Sequence, residues 1–173
     1  MKRDVEVVYQ GRFLEIHKDG RWEFVARHKA RGAVHIVAVT PARELVLVEQ
    51  FRVPVQVRTI ELPAGILGDE AAHREESVEA CALRELLEET GYTGTNARVL
   101  HAGPTAPGLT SERFNIVQIE GLARINDGGG VDGENITVHR VPLIGVMPWL
   151  EAQQRSGLQV DHRIYAGLKL AGI

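Results

Sequence analysis

An α/β fold is what this chain of 173 residues predicts, and three observations carry that reading. The first sixty residues break into short runs rich in β-branched and aromatic residues, separated by turn signals, which is the pattern of strands. Residues 77–90 follow helical spacing between a capping serine and a terminating glycine. Two further helical patterns, at 146–155 and 161–170, close the chain.

In order, strands are predicted at 5–9 and 13–17, joined by a turn at Gln10-Gly11. Asp19-Gly20 then opens a second hairpin into 22–26, giving a small antiparallel meander. Residues 33–39 and 45–48 are continuously apolar, as expected of strands buried on both faces. Residues 63–74 read as a loop, with Pro63, Gly65 and Gly68 followed by acidic and small residues. The helix at 77–90 has Ser77 as N-cap, Gly91 as its stop and Leu83, Leu86 and Leu87 as its apolar stripe. Strands follow at 98–101, 114–119 and 136–141, with a rigid exposed loop at 103–108 and a glycine-rich, flexible stretch at 127–133. The length suits one domain with a small appendage: residues 1–31 as the meander and 32–173 as the main domain.

Composition narrows the function. The chain is 44% hydrophobic and 25% charged, ordinary for a globular protein. A net charge of −3 lacks the basic excess of a general nucleic-acid binder, so no nucleic-acid partner is expected. No apolar run follows the first residues and none reaches membrane-spanning length, so neither a signal peptide nor a membrane partner is expected. Cys81 is the single cysteine; it is expected to fill the core, and its thiol suits a reducing cytoplasm. The seven histidines show no zinc-ligand spacing, and Gly128-Gly129-Gly130 lacks the Lys-Ser/Thr of a phosphate-binding P-loop.

The chemistry concentrates in Arg84-Glu85-Leu86-Leu87-Glu88-Glu89-Thr90-Gly91. Spacings of three and four bring Glu85, Glu88 and Glu89 to one side of a helix, where like charges repel. A fold rarely selects that for stability. Mg²⁺ takes hard oxygen ligands, commonly a few carboxylates together with substrate phosphates. The cluster therefore reads as a metal site for phosphate chemistry, against the plainer reading of a solvated acidic face.

With Glu76 eight residues before Arg84, this segment resembles the Nudix box, Gx5Ex7REUxEExGU, at every fixed position from Glu76 to Gly91; Tyr92 replaces the final aliphatic residue. No glycine lies six residues before Glu76. Gly65, in Glu61-Leu62-Pro63-Ala64-Gly65, looks like the start of the box, with five extra residues following it. The segment 106–113, Ala-Pro-Gly-Leu-Thr-Ser-Glu-Arg, resembles the loop beyond the box in ADP-ribose and nucleoside-diphosphate-sugar members, with Pro107 sixteen residues past Gly91. Val48-Glu49-Gln50-Phe51-Arg52 is a third matching element. The chain thus resembles a Nudix hydrolase of the ADP-ribose/nucleoside-diphosphate-sugar pyrophosphatase branch.

That resemblance implies a Nudix-type α/β/α sandwich with a mixed sheet, preceded by the antiparallel meander. It implies hydrolysis of a diphosphate linkage, giving a nucleoside monophosphate and a sugar phosphate, with Mg²⁺ or alternatively Mn²⁺ as cofactor. Metal ligands would be Glu85, Glu89, Glu88 and the Ala64 carbonyl, with Glu134 as a supplement. Glu112 would act as general base or as a metal ligand, with Glu88 and Arg84 as further catalytic groups, Arg84 pairing with Glu76 to orient the carboxylates. Substrate contacts would come from Arg52, Glu61, Trp22 and Phe24, with Arg27 and Arg58 the weaker phosphate candidates. A homodimer through the meander is implied. Hydrolysis of dinucleoside polyphosphates, NADH or CoA derivatives, and non-catalytic sensing of ADP-ribose, are the alternatives.

Overall fold

The computed structural model describes residues 5–130, 133 and 135–173. Its strands are β1 (Glu6–Gln10), β2 (Leu14–Asp19), β3 (Trp22–Arg27), β4 (Gly32–Ala38), β5 (Glu44–Arg52), β6 (Val57–Glu61) and β7 (Ala64–Leu67). Helix α1 (Val78–Thr90) follows, then β8 (Tyr92–Thr93), β9 (Asn96–Pro104), β10 (Arg113–Glu120), β11 (Ala123–Arg124) and β12 (Thr137–Pro142). Helix α2 (Val146–Arg155), β13 (Gln159–Val160) and α3 (Arg163–Ala171) complete the chain.

The meander forms its own antiparallel sheet, β1-β2-β3. Two four-stranded mixed sheets make the body, ordered β7-β4-β10-β9 and β12-β5-β6-β13, with β4–β10 and β6–β13 parallel. Strand β4 is buried along its whole length and β5 over residues 45–48, so alternate residues feed two cores. Val34, Ile36, Ala38 and Val46 pack with Cys81, Ala82 and Leu86 of α1. Val37, Leu45 and Leu47 pack with Leu150 of α2 and with Ile164 and Leu168 of α3. Helices on both faces of the sheets give the expected three-layer sandwich, and Cys81 is buried as expected.

Helix α1 starts where Ser77 accepts a hydrogen bond from the Ala80 N–H at 3.1 Å and ends at Gly91 with φ of 74°, a conformation suited to glycine. Its buried face is Cys81, Ala82, Leu86, Glu89 and Thr90; Leu83 and Leu87 are only half-buried, so the expected leucine stripe is rotated. A second difference is more consequential. Residues 64–67, expected as loop, form β7 on the edge of β4, pairing Ala64 with His35 and Gly65 with Val34. Unpaired β4 backbone would be costly inside the protein, and that outweighs the turn preference of Pro63 and Gly65.

The glycine-rich stretch is also less free than expected over its described part. Gly129 and Gly130 donate to the Glu89 and Glu88 carbonyls at 2.8 and 3.1 Å, satisfying open acceptors at the α1 C-terminus.

Candidate active site

The acidic wall of the site is α1 packed against β7. Glu89 is buried, and its carboxylate accepts from the Ala64 N–H at 2.9 Å. Glu85 lies over Gly65 so closely that a Cβ there would overlap its carboxyl group. Only glycine permits this approach. Arg84 is shared among three acids: 3.0 Å from Glu76, 2.9 Å from Glu85 and 3.0 Å from Glu88. The Arg84–Glu76 pairing expected from the sequence is therefore present. Burial pushes the Glu85 carboxyl up to about 7; Arg84 opposes this, and Glu88 and Asp69 add to it.

The floor of the site is differently built. Arg52, at the end of β5, binds Glu61 of β6 through both nitrogens of one fork, each at 2.7 Å, and Thr59 donates to the same carboxylate. Arg163, the first residue of α3, donates from Nε to Asp161 at 2.8 Å and from Nη2 to its other oxygen. Its Nη1 lies 2.8 Å from His35 Nε2. A guanidinium can only donate, so Nε2 accepts and the His35 proton resides on Nδ1. Burial, then the nearby Arg163 charge, depresses His35 to about 3. Burial alone would raise Glu61 and Asp161, but their arginine partners hold both below the usual carboxylate range.

A third wall joins the meander to the loop at 105–112. Val25 N–H donates to the Leu109 carbonyl, and Ser111 N–H to the Val25 carbonyl. Arg27 pairs with Glu112, which also accepts from the Thr105 hydroxyl at 3.3 Å.

These walls enclose one open cavity of about 970 Å³. It brings together Arg84, Glu85, Glu88, Glu89, Ala64, Arg52, Glu61, Arg27 and Glu112, all singled out in the sequence. Trp22 and Phe24 do not line it. Trp22 is 58% exposed on the meander, and Phe24 packs against the His17 ring at 5.4 Å. Phe13 lines the cavity from the same meander. Arg58 is engaged elsewhere, by Glu49. Glu134 lies outside the described residues. Sequence reading missed His35, Thr59, Asp161 and Arg163. His35 lies in an apolar strand and Arg163 in a helical pattern, so only an isolated polar residue in the buried run 33–39 could have hinted at them.

Among the described residues the lining carries eight carboxylates against four guanidinium groups. Among the described residues no three His, Cys, Asp or Glu side chains converge to hold an ion unaided. The donor set still fits a divalent cation that completes its shell with substrate oxygens: hard carboxylates, one of them incompletely neutralised, beside a backbone exposed by glycine.

Residues 29–119 match the NUDIX domain, more than half of the chain. An ADP-ribose pyrophosphatase of Bacillus subtilis (strain 168) is 30% identical over 177 residues, spanning 96% of this chain and 91% of that protein. A methanol dehydrogenase activator of Bacillus methanolicus is 32% identical over 136 residues, spanning 73% of this chain and 69% of that protein. Among solved structures, an ADP compounds hydrolase aligns with a TM-score of 0.74 over 97% of this chain and 89% of that one, at 23% identity, a likeness of fold. A complete box helix packed on β7 and a match over most of the chain make this protein a member of the NUDIX domain family.

Proposed function

We propose that this protein is a Mg²⁺-dependent pyrophosphatase that hydrolyses ADP-ribose or a related nucleoside diphosphate sugar to a nucleoside monophosphate and a sugar phosphate. The observation that carries the reading is the under-neutralised Glu85 beside Gly65, in a cavity with acid in excess of base. Similarity along almost the full chain to an ADP-ribose pyrophosphatase supports the substrate class. The residues that would hold the ion are Glu85, Glu89, Glu88 and the Ala64 carbonyl, with Mn²⁺ as a substitute. When bound, a divalent cation supplies charge neutralisation at the diphosphate oxygens.

Arg84 keeps the acids of α1 in one orientation. Arg52, its fork fixed by Glu61, offers its remaining N–H groups to a phosphate oxygen. Glu112 takes the proton of the attacking water once Arg27 exchanges its carboxylate for substrate phosphate. The base stacks on an aromatic of the meander, Phe13, Trp22 or Phe24, in a homodimer. Exposed Val7, Val8, Tyr9, Phe13 and Trp22 suit that apolar interface. The main domain, residues 32–173, thus carries the ion-holding acids and Glu112, and residues 1–31 the assembly and the base contact, with Arg27; the single buried thiol suits a cytoplasmic setting.

The test is product analysis on ADP-ribose, ADP-glucose, GDP-mannose, NADH and a dinucleoside polyphosphate with Mg²⁺. Release of AMP and ribose 5-phosphate from ADP-ribose is expected. Intact nucleotide sugars beside a cleaved polyphosphate would redirect the substrate assignment.

A further inference from the structure

The assembly of Arg163, Asp161 and His35 has no part in the chemistry above, yet it lines the same cavity. It is preorganised to an unusual degree. Asp161 accepts from the Arg163 backbone N–H at 2.7 Å as well as from two guanidinium nitrogens. His35, 6% exposed, fixes a third nitrogen from a different strand. Of five guanidinium N–H donors, three are engaged by the described residues, which leave two over. The side chain keeps 22% of its surface accessible. A guanidinium neutralised by its own carboxylate and clamped in plane discriminates by direction more than by charge.

What those donors face follows from the rest of the cavity. The diphosphate belongs between the α1 carboxylates and Arg52, so the two halves of the substrate extend to different walls. Among the described residues, Phe13 is the one Phe, Tyr or Trp in the lining, and it belongs to the wall of Arg27 and Glu112. A flat aromatic face suits a nucleobase. The floor around Thr59, Asp161 and Arg163 offers hydrogen-bonding groups instead, which suits a ligand made of hydroxyl and phosphate oxygens.

We propose that Arg163 recognises the sugar-phosphate half of the substrate, a pentose or hexose phosphate, with Asp161 and His35 as its positioning residues. This rests on the pyrophosphatase reading for the identity of the two halves, but its test does not depend on turnover. Ribose 5-phosphate and AMP are titrated separately into wild type, R163Q and R163K in the presence of Mg²⁺, with binding followed by calorimetry. R163Q should weaken ribose 5-phosphate by at least about tenfold and leave AMP within about twofold, since AMP binding also reports an intact fold. R163K should fall between, because an ammonium keeps the charge and loses the planar fork. Three results overturn the proposal: equal weakening of both ligands, unchanged ribose 5-phosphate binding in R163Q, or no ribose 5-phosphate binding by wild type. Wild type that binds both halves with this selectivity but leaves ADP-ribose intact would overturn the pyrophosphatase reading and sustain this one.

Discussion

Two carboxylate-bearing surfaces share one cavity and have opposite electrostatics. On the α1 wall, Arg84 serves Glu76, Glu85 and Glu88 at once, and half-buried Glu85 is pushed up to about 7. On the floor, Glu61 and Asp161 are comparably enclosed, yet each has its own arginine and each is held below the usual range. Burial works the same way on both surfaces. What differs is the number of guanidinium groups per acid. A shortage of positive charge is where a cation is drawn in; a matched pair is where a rigid donor is presented. The same residue types thus leave acid short of positive charge on one wall and matched ion pairs on the other.

The largest effect is expected from removing charge on the unbalanced wall. E85Q should lower turnover with saturating Mg²⁺ by roughly a thousandfold, as loss of several kcal/mol of electrostatic stabilisation requires. Unchanged product release would remove the metal role assigned to α1. G65A tests the same wall through shape, because a methyl group there overlaps the Glu85 carboxyl. Its expected cost is about a hundredfold in kcat/KM, in line with a small displacement of a reacting group. Full activity would mean that the approach of Glu85 to β7 is incidental.

The matched surface should respond in stability first. D161N leaves the Arg163 guanidinium short of its partner and should destabilise the protein by about 2 kcal/mol, or roughly 4–8 °C in Tm. A melting curve identical to wild type would show that the pair contributes nothing on balance. The smallest effect is a pH dependence. His35 is held near 3 in the fold against about 6.5 in an unfolded chain. The unfolded chain therefore takes up a proton first. The stability linked to His35 is complete above pH 6.5 and is lost as pH falls from there toward 3. H35Q, which lacks that group, should lose less stability than wild type between pH 7 and 5.5, by about 1 kcal/mol. Parallel pH profiles would argue against a buried neutral His35.

The legibility of these two surfaces in the sequence was unequal. Glu76, Arg84, Glu85, Glu88 and Glu89 lie within fourteen residues, and helical spacing alone was enough to gather Glu85, Glu88 and Glu89. Glycine at position 65 was visible, but its strand was not, because residues 64–67 acquire their conformation from the edge of β4. The meander was read correctly as three strands, while the aromatic that reaches the cavity is Phe13 and not Trp22 or Phe24. Which face of a short, mostly exposed sheet turns toward a neighbour is decided by docking, not by alternation along the strand.

By itself, then, the sequence determined the α/β class, the capped helix and the cluster of acids along it. All of these depend on neighbours a few residues apart, linked by the helical or strand period. The tertiary structure alone decided that Arg52 meets Glu61 across a hairpin, that Arg27 meets Glu112 over a separation of 85 residues, and that Arg163 meets His35 over 128. Those pairings are set by strand register and by the packing of a helix on a sheet. No local period encodes either, which is why the floor of the cavity emerged only when the chain was folded.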